Sequence, residues 1–144
     1  MQMNLSLQLS FHGAIVLLIG LLSGIPYGSA ISQNESESVI KAWQVAHSGL
    51  AMGGTTIIAI AAVINQLEMN AIALNILVWS SVVSGYGFCL ALPYGAWTGH
   101  RGLAVGKTLK SNVVYLGNIV GAWGSLISIL TLIFGCLQSM TIFG

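Results

Sequence analysis

The sequence predicts an all-α integral membrane protein, an antiparallel bundle of four transmembrane helices forming one domain over residues 1–144. Three observations predict it. Hydrophobic residues make up 56% of the chain and charged residues 5%, whereas soluble domains carry about 25% charged residues. The mean hydropathy is +0.89. The apolar residues fall into four stretches, each near the roughly 20 residues that a helix needs to cross a bilayer. The charges, Glu35, Glu37, Lys41, Glu68, Arg101, Lys107 and Lys110, sit between or at the edges of these stretches, and there is no Asp. A net charge of +1 offers nothing basic enough for nucleic acid. Four spans in 144 residues leave no room for a soluble enzyme domain.

The first span is expected at about residues 9–31. Residues 1–10 hold no Lys or Arg, so the positive start of a signal peptide is missing and this stretch is expected to remain a helix. A polar, acidic loop follows at residues 32–38. The second span, about residues 42–66, and the third, about 71–92, are joined by a tight turn at residues 67–70 and form a helical hairpin. Residues 93–111 read as a loop holding three of the four basic residues, and the fourth span covers about 112–137. Pro26 and Pro93 fall at or near span ends, where a missing N–H costs least. Cys89 and Cys136 lie in apolar stretches without CxxC spacing and read as small buried hydrophobes.

Lys and Arg occur only in the loops after spans one and three. Basic loops favour the cytoplasm, so both termini and Glu68 are expected outside. The expected setting is a bacterial inner membrane. The 18 glycines exceed average usage of about 7%. Several recur four apart, as at Gly20, Gly24 and Gly28, or Gly117, Gly121 and Ser125. Such stripes let helices approach closely in lipid, and some positions would also leave room for a flat cofactor.

Direction and a rise of about 1.5 Å per residue convert sequence position into depth. His12 is expected near the outer face. Tyr27, His47, Tyr86, Tyr94, Tyr115 and Asn118 are expected in one layer toward the inner face. An aromatic belt accounts for Tyr27, Tyr94, Trp43 and Trp97. His47 fits a belt less well, because an ionisable residue inside a span is a functional candidate by default. A structural imidazole bonded to a neighbouring carbonyl is the alternative. Asn118 either serves the site or pairs across helices. The run Ala46-His47-Ser48-Gly49 surrounds an imidazole with small residues that can admit something flat, and imidazole is a common axial ligand of haem iron. His12 and His47 should lie too far apart to bind one iron from both sides. His100 and Arg101 share the inner side in a loop, where His100 is either a solvated loop residue or, with Arg101, a partner for a haem propionate. All three Glu are expected in loops, which disfavours a proton-coupled pump and removes paired-carboxylate chemistry. No Walker loop, HExxH or GxSxG is present.

His12-Gly13, Ala42-Trp43 through Ala46-His47-Ser48-Gly49, Trp79-Ser80 with Gly85-Tyr86, and Arg101-Gly102-Leu103 occur in that order. Over about residues 11–125 they resemble styrene oxide isomerase. Hydroxylaminobenzene mutase is similar at the first HG and at the His-containing start of span two. The resemblance implies a membrane isomerase binding haem b, as a homotrimer with haem near subunit interfaces. It implies His47 as the iron ligand; Gly49, for its small size beside the imidazole, and Arg101, for its charge on the same side, are the further cofactor contacts expected. It also implies Tyr86 as the substrate-site residue; Asn118 is expected beside it as a second catalytic group, from its depth alone. Where the isomerase has Asn six residues after its ligand His, this chain has Gly53. Where it has an acidic residue two before the span-three Trp, this chain has Leu77. The reaction implied is redox-neutral rearrangement of a small apolar aryl epoxide to an aldehyde, with ferric haem as Lewis acid. The alternatives are rearrangement of an arylhydroxylamine to an aminophenol, and a non-enzymatic haem-binding or anchor protein.

Overall fold

The structure is a computed structural model that describes residues 4–142. Helix α1 (Leu5–Leu22) starts where the Asn4 side chain accepts the Leu7 N–H at 3.2 Å. It stops at Leu22, and α2 (Gly24–Ser32) carries the chain on. Pro26 explains the break. It has no N–H to give to the Leu22 carbonyl four residues back, and its ring crowds that carbonyl. Together the two helices make a first apolar segment, Leu5–Ser32, of 28 residues.

Helix α3 (Glu37–Val63) ends in a tighter turn at Ile64–Gln66. Helix α4 (Ala71–Thr98) begins at Asn70, whose side chain accepts from Ala73 N–H at 2.9 Å. It ends at Gly99, which adopts φ 71° and returns its N–H to the Gly95 carbonyl, the left-handed stop that glycine makes without strain. Helix α5 covers Leu109–Ile142. Four segments are long and apolar enough to cross a membrane, and no strand occurs among the described residues. The all-helical membrane fold predicted from the sequence is what the structure shows.

The expected span ends are too short. The first helix starts at Leu5, and the third continues through Pro93 to Thr98. Pro93 removes one hydrogen bond, to the Cys89 carbonyl, but the apolar residues after it still favour a lipid-facing helix. The stop comes from Gly99 instead. The expected loop over residues 93–111 shrinks accordingly to the segment between Thr98 and Leu109.

The bundle is two tight pairs, α1–α3 and α4–α5, joined through α4. Lipid provides little hydrophobic force between helices, so close backbone approach does the work. At Gly87 an added Cβ would lie 2.8 Å from Gly121 N and 2.9 Å from the Gly117 carbonyl. Hydroxyls pin the same pair. Ser81 and Ser128 share a buried hydrogen bond of 2.6 Å, and Ser84 Oγ donates to the Gly121 carbonyl at 2.8 Å. Leu9, Val16, Leu50, Leu77 and Val78 form the fully buried centre where the pairs meet. Helices α3 and α5 barely touch, which leaves a groove floored by α4. Lys41, Arg101, Lys107 and Lys110 cluster at one end of the bundle, the basic end, and Glu68 lies at the other.

Candidate functional site

His47 lies on the α3 face that packs against α1 and α2. Its Nδ1 is 2.9 Å from the Gly20 carbonyl oxygen. A carbonyl only accepts, so Nδ1 carries the proton. In the neutral ring, Nε2 then holds the lone pair that a metal needs. Nε2 makes no hydrogen bond among the described residues. The ring sits in a notch cut by Gly24, where an added Cβ would lie 3.1 Å from both Cε1 and Nδ1. Tyr27, on α2, stacks on it with centroids 6.2 Å apart and planes 23° apart. The notch follows from local sequence, because Pro26 breaks the helix beside it and Gly24 clears its wall.

No group of three or more His, Cys, Asp or Glu side chains converges among the described residues. A protein-built metal cage is therefore not formed by them. A single oriented imidazole instead suits an iron that brings its own equatorial nitrogens, as haem does. The donor set thus fits that group.

The other expected site residues do not gather around His47. Gly49 is two positions further on, about 200° around the helix at roughly 100° per residue. It faces the groove, where an added Cβ would lie 3.4 Å from Leu92 Cδ1. A shared wall with His47 is therefore corrected. Tyr86 also leaves the expected layer. Its hydroxyl is 2.9 Å from His12 Nδ1, and the two rings meet edge to face at 5.6 Å. Neighbouring Gly85 packs on Val16, whereas His47 packs level with Gly20 and Gly24. His12 is correspondingly deeper than expected, seven residues or about 10 Å into α1 at 1.5 Å per residue. Separation of His12 from His47 is retained, since Gly13 lies against Ile57 and Ile58. That is ten residues along α3 from His47, or about 15 Å.

Asn118 pairs with backbone rather than with another helix. Its Nδ2 donates to the carbonyls of Arg101, at 3.1 Å, and Gly102, at 3.3 Å. Gly102, with φ 59°, packs against Val114 and the Tyr115 backbone. The loop is thereby folded down over the start of α5, leaving the Arg101 side chain exposed at the basic end. Lys41 is engaged by Glu37 at 2.5 Å, on the surface. No such ion pair holds Arg101 among the described residues.

Two cavities occupy the groove. One of about 520 Å³ at the basic end is bordered by Lys41, His100, Arg101 and Asn118. The other, about 650 Å³, is bordered by Gly49, Gly53, Thr56 and Ser125. They share Phe88 and Ala122. Sequence reading missed these two residues and the His12 contact. The four-residue spacing of Val45, Gly49 and Gly53 marks one wall of the groove, but nothing in the sequence identified Phe88 as its floor.

A comparison with curated proteins finds no match. The family model described as styrene oxide isomerase does match, over residues 5–137, from the start of α1 to the last turns of α5. With four membrane-spanning helices behind that match, the chain belongs to the styrene oxide isomerase family.

Proposed function

We propose that this protein is a haem b-dependent membrane isomerase that rearranges a small apolar aryl epoxide to the corresponding aldehyde. One observation carries the reading: in a chain of this family, His47 is oriented by the Gly20 carbonyl so that its Nε2 keeps a free lone pair. When bound, haem iron supplies a Lewis acid for the epoxide oxygen.

The chain's own residues supply the rest. His47 holds the iron, and Gly20 and Tyr27 keep its ring from turning. Arg101, with His100 beside it, offers cationic and hydrogen-bonding partners for propionates. Tyr86 orients the aromatic substrate. The apolar spans exclude water, which would trap a benzylic cation as a diol. The spans contain no carboxylate beyond Glu37 at the first residue of α3, which suits a hydride shift that needs no external base.

Within one chain, His47, Tyr86 and Arg101 face different sides. A homotrimer in the bilayer, in which a neighbouring copy supplies the facing wall of each site, is the assembly we propose. Both termini lie outside in this reading, and the basic end lies in the cytoplasm of a bacterial cell.

The test is an absorption spectrum of the detergent-purified protein, paired with product analysis on styrene oxide. The expected result is a Soret band and an aldehyde product, both lost in His47→Ala. A colourless, metal-free preparation that still forms aldehyde would overturn the haem assignment. Turnover of an arylhydroxylamine but not the epoxide would reassign the substrate. A reversible haem redox couple without any turnover would leave a non-enzymatic haem protein.

A further inference from the structure

Two polar side chains that the proposed chemistry does not use lie one turn apart on α1. His12 Nδ1 meets the Tyr86 hydroxyl at 2.9 Å. Gln8 precedes His12 by four residues, so both project from one face of the helix. The Gln8 Oε1 atom is buried and has no hydrogen-bond partner. A buried acceptor left unpaired is costly, and each such atom in a native fold calls for an explanation. Of the polar side chains one turn away from Gln8, Asn4 is exposed and caps the Leu7 N–H. His12 is half-buried, and its second ring nitrogen has no hydrogen bond among the described residues.

We infer that Gln8, His12 and Tyr86 form a relay that fixes the direction of the Tyr86 hydroxyl, with His12 as its positioning residue. Rotation about the Gln8 side-chain bonds brings Oε1 to the His12 Nε2–H. That bond selects the tautomer with the proton on Nε2. Nδ1 is then a pure acceptor, and Tyr86 O–H donates to it. Tyr86, 37% exposed as a residue, consequently presents its oxygen lone pairs, not its proton, away from His12. An acceptor there favours developing positive charge on a bound aromatic substrate over developing negative charge on an oxygen. The relay relies on the isomerase reading only for this consequence in turnover. The tautomer itself is a property of the resting protein.

Two measurements test it. The first is ¹⁵N NMR of histidine-labelled protein in detergent. The chain has three histidines, so single substitutions assign each one. The expected result is His12 protonated on Nε2, with a shift toward the Nδ1–H form in Gln8→Leu. A parent His12 protonated on Nδ1 overturns the relay, and so does a Gln8→Leu spectrum identical to the parent's. The second measurement is kcat and KM on styrene oxide. His12→Ala is expected to lower kcat by about tenfold, the worth of one good hydrogen bond, with KM and the Soret band unchanged. His12→Asn should restore most of kcat, because its Oδ1 falls near the position of Nδ1 and accepts from the same hydroxyl. Parental kcat in His12→Ala also overturns the proposal. If the parent protein shows no turnover, the isomerase reading fails, and the NMR result alone still decides the relay.

Discussion

The Nδ1 of His47 lies 2.9 Å from the carbonyl oxygen of Gly20. The helix backbone thus orients the imidazole, and no side-chain substitution at position 20 deletes that acceptor. What can be altered is the space that lets the ring reach it. A Cβ at Gly24 would lie 3.1 Å from Cε1 and Nδ1, tighter than ordinary contact. Gly24→Ala should therefore rotate or displace the ring and weaken haem binding by about tenfold, as loss of a ligand-orienting neighbour does. Gly24→Leu should abolish binding while helix content by circular dichroism is kept. Gly28→Ala is the matched control, since nothing lies within 4 Å of its added Cβ. Haem titration of the three purified variants checks the order.

These relationships show where the sequence was legible. Four helices were readable because each apolar run is long and bounded by polar residues, a signal that survives local irregularity. Their ends were not. Pro93 resembles a stop, yet losing one intrahelical bond does not outweigh keeping the apolar residues that follow it in helical form. The placement of His47 inside a span was legible from its position in the apolar run. Its tautomer was not, because Gly20 comes from another helix. Tyr86 was misplaced because its depth was counted back from a span end at residue 92, whereas α4 runs on to Thr98, which sets Tyr86 about 9 Å further from that end. Helix α1 starts four residues earlier than expected, which sinks His12 as well, so the two side chains meet. The divergence of Gly49 from His47 follows from helix geometry alone.

The α4–α5 pair should depend on bare backbone contact. Gly87→Ala places a Cβ 2.8 Å from Gly121 N, and neither backbone can yield without moving its helix. Such overpacking costs about 1–3 kcal/mol. Gly53→Ala, with nothing within 4 Å, should be neutral or gain up to about 1 kcal/mol from helix propensity. Thermal unfolding in one detergent should show opposite or unequal shifts, and equal shifts would refute the packing argument.

The orientation we propose rests on where the four basic residues sit, and it can be tested by labelling. In a Cys89→Ala, Cys136→Ala background, Ser36→Cys and Glu68→Cys mark the two ends. Both positions are exposed, and the Ser36 side chain makes no capping bond. With the basic end in the cytoplasm, an impermeant maleimide on intact cells should label Glu68→Cys. Ser36→Cys should react only after permeabilisation. The reverse pattern would invert the topology and leave every internal distance unchanged.

Asn118 anchors the loop that carries Arg101, and this makes a prediction distinct from that of a catalytic amide. Its Nδ2 bonds to the carbonyls of Arg101 and Gly102 each contribute about 0.5–1.5 kcal/mol. Asn118→Leu keeps the volume and removes both. The loop should then open more often by about tenfold or more, since 1.4 kcal/mol is a factor of ten. Trypsin cleavage after Arg101 should accelerate in proportion, because proteolysis tracks the open population when reclosing is fast. Asn118→Asp should behave the same way, since a carboxylate has no N–H to give to either carbonyl. Cleavage at Arg101 and single-turnover rate with haem-saturated enzyme separate the roles. An anchor speeds cleavage and lowers haem retention while the haem-saturated rate is kept. A catalytic amide would lower that rate and leave cleavage as it was.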